Sequence, residues 1–419
     1  MSETNVTQSS PRGLHTTRDP EIDHVMRLPA EQQPKWHDPA RAAAVRAALE
    51  AEPAQVAVGE VRELTALLAR VAAGELCVLQ AGDCAEDPAD ATPAAVALKA
   101  EMLDVLGGIM RVGADRPVLR VGRLAGQFAK PRSQPYEAVD GVRLPVFRGP
   151  IVNGPEATRS ARRADPDRML ACHTAAGRTR SALEELGRGP GADPLKRVWT
   201  SHEALLLDYE VPLVRPTGTG GHYLTSTHWP WIGERTRQPA GAHVRLLARL
   251  ENPVACKVGP DTTASQIREL CALLDPHRVP GRLTLIPRFG TARISRLQPL
   301  VEEVGRAGHP VLWMCDPMHG NTVKDACGLK IRRLEDIMTE VRGFLSAVRR
   351  GGGVCAGVHL EASPQNIAEC AGAGTVPVRG RGYRTLCDPR LNMRQAVAVA
   401  AHWQQGLSPA RPAVRAANP

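Results

Sequence analysis

The sequence predicts an α/β protein, a (β/α)8 or TIM barrel with a short N-terminal extension. Three observations support this fold: short apolar runs recur along the chain, helical stretches separate them, and most runs end abruptly in a Cys or a charged residue. Buried strands that alternate with helices are typical of parallel βα units. The residues that follow such strands converge on one face of the barrel, where the active sites of this fold lie. The pattern therefore predicts an enzyme with a polar, cation-rich site.

Three regions are expected along the chain. Residues 1–35 are rich in Ser, Thr, Pro and charge, which predicts a mobile N-terminal arm. Residues 36–407 are expected to form the barrel domain, beginning with helices over residues 38–73 that cover one end of the barrel. The Pro-rich residues 408–419 predict a disordered tail.

The strands are expected to begin near Leu76, Val118, Val198, Tyr223, Val254, Leu283, Val311 and Gly357. The runs at Val198 and Tyr223 are the weakest, because their Thr, Trp and His residues suit a long loop equally well. Helices are expected at residues 94–109, 178–186, 242–250, 264–274, 294–304 and 334–348. The Arg-rich residues 148–197 predict a surface loop and one helix.

Composition excludes several classes of function. The formal net charge of +9 would suit nucleic acid, but the arginines are dispersed and aromatic residues make up only 3% of the chain. No apolar run is long enough to cross a bilayer, and the polar N-terminus does not predict a signal peptide. We therefore expect a cytoplasmic protein with neither nucleic-acid nor membrane partners. Its ten cysteines lack paired spacing, which favours reduced and mostly buried thiols.

Four groups at separate strand ends are candidate ligands of one metal ion: Cys84, His319, Glu361 and Asp388. A thiolate, an imidazole and two carboxylates suit Mn²⁺, Co²⁺, Fe²⁺ or Zn²⁺ better than Mg²⁺, which prefers oxygen alone. Each residue also has an ordinary structural explanation, such as a buried thiol or a salt-bridged acid. The spacing alone leaves both interpretations open.

A second group of strand-end residues is cationic and comprises Arg123, Lys130, Arg132, Arg235, Lys257 and Arg288. An arginine fork matches a carboxylate or a phosphate in two-point contact, and lysine adds a point charge. So many cations are costly to bury without anionic partners. Few acids lie beside them in the sequence, so we expect an anionic substrate. Glu234 and Asp316 are candidates for orienting these cations or for proton transfer.

Long motifs of this chain resemble those of the type II 3-deoxy-D-arabino-heptulosonate 7-phosphate (DAHP) synthases. The motifs occupy residues 80–86 (QAGDCAE), 126–133 (GQFAKPRS), 201–205 (SHEAL), 231–238 (WIGERTRQ), 315–322 (CDPMHGNT), 357–361 (GVHLE) and 387–392 (CDPRLN). The resemblance extends from about residue 20 to about residue 405. It implies a barrel that condenses phosphoenolpyruvate with erythrose 4-phosphate, the entry step of the shikimate pathway.

The resemblance also implies roles for individual residues. Cys84, His319, Glu361 and Asp388 match the family's divalent-metal ligands, for which Mn²⁺ or Co²⁺ is usual. The phosphoenolpyruvate site is matched by Arg123, Glu234, Arg235, Lys257 and Arg288. The loop that receives erythrose 4-phosphate is matched by Lys130, Arg132 and Ser133. His319, Glu234 and Lys257 are the expected catalytic residues. His319 or Glu234 is expected to assist proton transfer, and the sequence does not decide which.

Departures from the family pattern lead to further expectations. Residues 362–370 (ASPQNIAEC) replace a usual Thr-Gly pair and acidic residue, and Phe289 replaces a usual Met. The region between the second and third strands is too short for the inserted helix pair that builds allosteric sites in the family. We therefore expect weak or absent feedback inhibition, as in the short members that serve secondary metabolism. We also expect a homo-oligomer (a dimer or tetramer).

Two alternatives remain at the sequence level. One is an amino-DAHP synthase that uses an imino form of erythrose 4-phosphate. Another is a catalytically silent homologue that acts as a regulatory subunit, for example of a chorismate mutase. Cys387, next to Asp388, suggests in addition a disulfide with Cys84 when the metal is lost, and an inert buried thiol is the competing interpretation.

Overall fold

The computed structural model describes residues 20–139 and 141–407. Most of the predicted arm and the whole predicted tail lie outside the described residues. The helices of the described part are α1 (Pro20–Val25), α2 (Pro39–Ala51), α3 (Val58–Ala72), α4 (Pro93–Ala114), α5 (Asp167–Glu185), α6 (Leu207–Glu210), α7 (Ala242–Leu247), α8 (Ala264–Leu274), α9 (Leu297–Arg306), α10 (Leu334–Arg350) and α11 (Met393–Leu407). Short 3₁₀ helices occupy Pro88–Asp90, Val211–Leu213 and Thr291–Arg296.

The strands of the described part are β1 (Cys77–Gly82), β2 (Val118–Arg123), β3 (Tyr136–Val139), β4 (Val142–Pro145), β5 (Val198–Glu203), β6 (Val214–Pro216), β7 (His222–Leu224), β8 (Trp229–Ile232), β9 (Val254–Val258), β10 (Leu283–Pro287), β11 (Leu312–Cys315), β12 (Val323–Lys324), β13 (Lys330–Arg333), β14 (Val354–Glu361) and β15 (Cys370–Ala371). Eight of them form a closed barrel in the order β1, β2, β5, β8, β9, β10, β11 and β14. All the barrel pairs are parallel, and β14 pairs with β1 to close the ring. The predicted (β/α)8 fold is confirmed.

The fourth barrel strand lies elsewhere than predicted. We expected it near Tyr223, but His222–Leu224 is β7, which pairs antiparallel with β6 outside the barrel. The barrel strand is β8, which begins at Trp229 and pairs with β5 and β9. Aromatic and apolar residues occur in both stretches, so only long-range pairing distinguishes them. The uncertain strand at Val198 is present as β5.

Several helices have different bounds from those predicted. Helix α8 agrees at both ends, whereas α5 begins at Asp167, directly after Pro166. Pro is well suited to a helix start because its φ is already helical. Helix α7 ends at Leu247, and α9 begins at Leu297 after a 3₁₀ turn. The connection between β2 and β5 contains the hairpin β3–β4 and the single helix α5.

Helix α3 closes the N-terminal end of the barrel, as expected for the helices of residues 38–73. Its buried Leu64, Leu68 and Val71 pack against apolar side chains inside the barrel. The loop that enters β10 lies against this helix, because a Cβ atom on Gly281 would be only 2.4 Å from the carbonyl oxygen of Thr65. The opposite, C-terminal end is therefore the one left for a site.

Helix α1 lies inside the segment that we predicted as a mobile arm. Its Ile22 and Val25 are buried in the main hydrophobic cluster, and Glu21 pairs with Arg249 at 3.2 Å. Packed structure thus begins before residue 36. Across the described helices, none has the length and apolar character that crossing a membrane requires.

Candidate active site

The strand ends that were predicted to carry the site meet at the C-terminal end of the barrel. Gly82 of β1 lies in register with Arg123 of β2 on one side and with Glu361 of β14 on the other. Cys84 follows β1 after one further residue. Side chains from three neighbouring strand ends therefore start within reach of one another.

Three of the four predicted metal ligands form a tight group. One ligand atom from each of Cys84, Glu361 and Asp388 lies within 4.8 Å of the other two. The fourth, His319, adjoins them, with Nε2 3.1 Å from Oε1 of Glu361. The backbone N–H of Asp388 also donates a hydrogen bond to the Cys84 sulfur, at 3.2 Å. The structure therefore brings all four predicted ligands together.

Lys130 lies within this group rather than beside it. Its Nζ is 2.9 Å from the sulfur of Cys84, 3.2 Å from Oε1 of Glu361 and 3.0 Å from Oδ2 of Asp388. We expected Lys130 on the loop for erythrose 4-phosphate. Lys130 does line the pocket described below, and its ammonium also supplies positive charge among the three candidate ligands, so a cation is already favoured at this position.

The charges around Glu361 favour its ionised form. Its carboxylate is fully buried and accepts hydrogen bonds from Arg123 at 3.0 Å and from Arg332 at 2.6 Å. Burial opposes ionisation, but His319, Lys130 and Arg332 outweigh it and hold the pKa of Glu361 well below its usual range. A carboxylate that stays charged while buried is a good ligand for a divalent cation.

The other ligands have matching electrostatics. Asp388 pairs with Lys330 at 2.8 Å as well as with Lys130, and these cations keep its pKa well below the usual value despite burial. Burial and the adjoining Cys387 thiol raise the pKa of Cys84. The Cys84 thiolate is therefore stable only beside a cation. This set of sulfur, nitrogen and oxygen donors fits a borderline divalent metal such as Mn²⁺ or Co²⁺.

Asp316 orients the imidazole of His319. Its Oδ2 lies 2.8 Å from Nδ1 of His319 and 2.9 Å from Nζ of Lys257. An Nδ1–H group that donates to this carboxylate leaves Nε2, the nitrogen that faces Glu361, free to act as a ligand. Asp316 thus connects the candidate metal centre to the cation cluster.

The cations form a second group around an open pocket of about 790 Å³. Of the predicted site residues, those that line it are Lys130, Arg132, Ser133, Glu234, Arg235, Lys257, Arg288, His319 and Asp388. Arg123, Cys84 and Glu361 are buried and do not line the pocket. The pocket therefore adjoins the candidate metal centre.

Arg235 and Arg288 differ from the other cations in lacking an acidic partner. Within the described residues, no carboxylate lies within 4.0 Å of either guanidinium: Arg235 donates to the hydroxyl of Ser133 at 2.6 Å, and Arg288 donates to the carbonyl of His319 at 2.9 Å. Burial and repulsion from Arg288 lower the pKa of Arg235. Two close, uncompensated guanidinium groups favour a dianionic ligand such as a phosphate.

Trp231 lies beneath two of the cations. The guanidinium carbon of Arg123 is 5.1 Å from its ring centroid, and Nζ of Lys257 is 5.7 Å from it. His359 meets the same ring edge-on and bonds with Arg123 through Nε2. These contacts restrict where the two cations point into the site.

Glu203 lines the pocket and lies in the motif of residues 201–205, although the sequence predicted no role for it. It ends β5 and is only 8% exposed. Its Oε1 is buried without a hydrogen-bond partner among the described groups, and burial raises its pKa although Lys257 and Lys130 oppose the shift. Glu203 is the last residue of β5, so the expectation that functional residues lie at strand ends would have identified it if the strand at Val198 had been more certain. Lys324 and Lys330, also missed, line the pocket from β12 and β13.

Glu86 fixes the loop that carries Lys130, Arg132 and Ser133. Its buried carboxylate accepts the backbone N–H groups of Ala125, Gly126 and Gln127 at 2.8–3.0 Å. Ala125 has a positive φ of 59°, and the three hydrogen bonds to Glu86 help to stabilise this conformation. Glu86 thus fixes the start of the loop, and the side chain of Gln32, which accepts the backbone N–H of Arg132 at 2.8 Å, fixes its further part.

The model of the class-II DAHP synthetase family matches residues 20–196 and 194–403 of the chain. A probable phospho-2-dehydro-3-deoxyheptonate aldolase of Pseudomonas fluorescens is 47% identical over 392 residues, which cover 91% of this chain and 96% of the relative. The phospho-2-dehydro-3-deoxyheptonate aldolase of Streptomyces coelicolor is 38% identical over 94% of this chain and 97% of its own length.

A solved structure agrees with the fold. The phospho-2-dehydro-3-deoxyheptonate aldolase of Francisella tularensis superposes with a TM-score of 0.53 over 87% of this chain and 96% of its own, at 14% identity. That likeness concerns the fold alone, whereas the sequence matches extend over nearly the whole chain. By these matches, the chain belongs to the class-II DAHP synthetase family.

Proposed function

We propose that this chain is a metal-dependent DAHP synthase that joins phosphoenolpyruvate to erythrose 4-phosphate with addition of water and release of phosphate. The observation that carries the proposal is the pair Arg235 and Arg288, which face a pocket without acidic partners beside a group of four candidate metal ligands. Two relatives, 47% and 38% identical to this chain, are named phospho-2-dehydro-3-deoxyheptonate aldolases, which supports the same reaction.

Phosphoenolpyruvate would bind through the cations on the barrel side of the pocket. Arg235 and Arg288 suit its phosphate, and Lys257, which lies close to Trp231, suits its carboxylate. Arg123 contacts the same ring from a buried position behind the pocket. Binding at both ends would hold C3 of the enol towards the second substrate. Orientation of this kind removes a large part of the entropic barrier to a reaction between two molecules.

A divalent metal would be held by Cys84, His319, Glu361 and Asp388. The bound ion supplies Lewis acidity at the aldehyde oxygen, where negative charge develops during bond formation. Mn²⁺ or Co²⁺ suits this mixed donor set best. Asp316 would keep Nε2 of His319 available as a ligand through its bond to Nδ1.

Erythrose 4-phosphate would enter along the loop of residues 130–133. Arg132 and Ser133 line the outer part of the pocket, and Ser133 is bonded to Arg235. Lys324 and Lys330 face the same space from the opposite side. These cations would hold the phosphate of the second substrate while its aldehyde points towards the metal.

Proton transfer is best assigned to Glu203. Of the catalytic candidates from the sequence, Glu234 pairs with Arg237 at 2.9 Å, and both His319 and Lys257 are bonded to Asp316. Glu203 and Glu234 each have a buried carboxylate oxygen without a hydrogen-bond partner, but Glu203 forms no ion pair among the described residues and burial raises its pKa. A carboxylate of this kind suits the activation of the water that adds to C2.

The remaining features follow from the same proposal. The chain would act in the cytoplasm as a homo-oligomer, without nucleic acid, and would supply secondary metabolism. Only one helix, α5, lies between β2 and β5 in the described residues, which supports weak feedback control. A chorismate mutase is a candidate partner for binding assays.

A mass-spectrometric product assay tests the proposal. Wild-type protein with Mn²⁺ and both substrates should yield DAHP and one equivalent of phosphate, and Cys84→Ala should yield neither. Cys271→Ala is the matched control, because this buried thiol lies on α8 away from the pocket. DAHP absent from the wild-type reaction refutes the proposal, and turnover only with the imino form of the sugar identifies an amino-DAHP synthase. Activity equal to wild type in Cys84→Ala refutes the metal assignment.

A further inference from the structure

Glu340 is a buried carboxylate of α10 that bonds to two loops at the mouth of the barrel. Its Oε1 accepts the backbone N–H groups of Phe289 and Gly290, each at 2.9 Å. Its Oε2 accepts the side-chain amide N–H of Asn321 at 2.6 Å. The loop after β10 carries Arg288 and the loop after β11 carries His319. The side chain of Glu340 therefore connects the loop after β10 to the loop after β11.

The two loops also touch each other directly. A Cβ atom on Gly320 would lie 2.2 Å from the backbone nitrogen of Gly290, so both positions need glycine for the backbones to approach. The amide oxygen of Asn321 accepts the backbone N–H of Thr291 at 3.1 Å. With the bond from Arg288 to the carbonyl of His319, these contacts make the two loops one unit.

Glu340 has no cation to compensate its charge. Among the described residues no Arg, Lys or His forms an ion pair with it, and the carboxylate of Asp316 repels its charge. Burial raises the pKa of Glu340 to about 8, although its three hydrogen bonds oppose the shift. A buried acid without a cation destabilises the fold unless its bonds compensate. Its contribution therefore lies in the loops that it connects.

We propose that Glu340 is a positioning residue that fixes Arg288 relative to His319, and so aligns the phosphoenolpyruvate site with the metal centre. It touches neither substrate nor metal and acts only through residues 289, 290 and 321. The inference rests on the proposed function, in which Arg288 binds phosphoenolpyruvate and His319 is a ligand.

Glu340→Gln tests this role because the amide keeps the size of the carboxylate and has one acceptor oxygen instead of two. If that oxygen keeps the bonds to Phe289 and Gly290, the NH₂ group must face the NH₂ group of Asn321. We expect the KM for phosphoenolpyruvate and the Kd for Mn²⁺ each to rise about 10-fold, the effect of one lost buried hydrogen bond. The KM for erythrose 4-phosphate should change less than about threefold.

Asn321→Asp and the double variant provide a second, independent test. Above about pH 8, where Glu340 is ionised, the single change places two carboxylates against each other and should raise the same two constants. It also removes the hydrogen bond from the Asn321 amide to the carbonyl of Pro317, a loss that the double variant shares. In Glu340→Gln/Asn321→Asp an amide donor again meets a carboxylate acceptor, so the double variant should bind Mn²⁺ and phosphoenolpyruvate more tightly than Asn321→Asp. A double variant that binds no more tightly than Asn321→Asp overturns the proposal.

Glu303→Gln is the matched control, since Glu303 is a mostly buried carboxylate of α9 that pairs with Arg268 and Arg306 instead of the site loops. Unchanged KM for phosphoenolpyruvate and unchanged Mn²⁺ affinity in folded Glu340→Gln overturn the proposal. If Glu340→Gln does not fold, an unchanged KM for phosphoenolpyruvate and an unchanged Mn²⁺ affinity in Asn321→Asp overturn the proposal. Titration with Mn²⁺ needs no turnover, so its result stands even if the wild-type chain makes no DAHP.

Discussion

The ammonium of Lys130 lies 2.9 Å from the sulfur of Cys84, inside the group of candidate metal ligands. Burial opposes its charge, but Cys84, Glu361 and Asp388 outweigh that effect and raise the pKa of Lys130 well above its usual value. A metal ion at this site would therefore bind against a positive charge already present. That charge also stabilises the ligands as a group.

Replacing Lys130 with Met should tighten the binding of Mn²⁺. The ammonium repels a divalent ion at this range, and its loss should lower the Kd for Mn²⁺ by about 10-fold or more. The metal-free variant should melt at a lower temperature, because the anions then lack their counter-charge. Calorimetric titration and thermal melting measure the two effects. Lys196→Met, an exposed change, is the control, and weaker Mn²⁺ binding in Lys130→Met would contradict the prediction.

Glu203→Gln should lower kcat about 100-fold, a typical effect of removing a general acid or base. Its KM values should change little, because Gln keeps the shape of the side chain. Since burial raises the pKa of Glu203, the wild-type rate should fall on the acid side from above the ordinary Glu value. That limb should disappear in the variant. Glu234→Gln is the comparison, and a kcat of Glu203→Gln within threefold of wild type would reject the role.

Oxidation of the metal-free protein should join Cys84 to Cys387. The Cys387 thiol adjoins Cys84 closely enough to raise the pKa of that thiol, and the backbone N–H of the neighbouring Asp388 donates to the Cys84 sulfur. Copper phenanthroline would take two electrons and two protons from the pair to form one disulfide. Peptide mass spectrometry should detect the link and its loss after prior Mn²⁺ binding. Cys387→Ser is the control, and two free thiols in oxidised wild-type protein would reject the prediction.

Feedback inhibition by Trp, Phe and Tyr should be weak. The connection between β2 and β5 holds only the hairpin β3–β4 and α5 in its described part, which leaves little structure for an effector site. Initial rates with each amino acid and with all three together test this expectation. Strong inhibition by any of them would show that an effector site lies elsewhere.

The sequence predicted the barrel because each strand is short, buried and followed by a reactive residue. It placed seven strands correctly, and it failed at Tyr223, where only pairing across the barrel distinguishes β7 from β8. The local sequence pattern indicates which residues are buried and whether they form a helix or a strand, but it does not indicate which strands pair.

The candidate site shows the same limit. The ligand types were readable from the motifs, and the structure brings those residues together. The contact of Lys130 with Cys84 and the free oxygen of Glu203 depend on distances between strand ends that are far apart in sequence. The sequence could not predict the role of Glu340 either, because its hydrogen-bond partners lie on loops of two other βα units.

The stability of the fold should fall between about pH 6.5 and 4 because of His228, at the end of the barrel away from the pocket. His228 is buried, accepts the backbone N–H of Thr200 through Nδ1 at 3.0 Å and lies 3.2 Å from Glu60 through Nε2. Protonation of Nδ1 would break the first bond, and burial lowers the pKa of His228 to about 4.

The unfolded chain, with a His pKa near 6.5, therefore binds the proton first as the pH falls. The stabilisation is complete above that value and is lost progressively down to the folded pKa, by an amount on the order of 3 kcal/mol. Burial opposes the ionisation of Glu60, but His228 and the backbone N–H of Ala57 lower its pKa to about 2. The stabilisation from Glu60 is therefore present above the ordinary Glu value of about 4.3 and is lost as the pH falls from there towards 2. Urea unfolding at several pH values should show a shallower decline in His228→Gln than in wild type. His277→Gln, an exposed change, should leave the decline intact, and equal slopes in all three proteins would exclude His228 as its source.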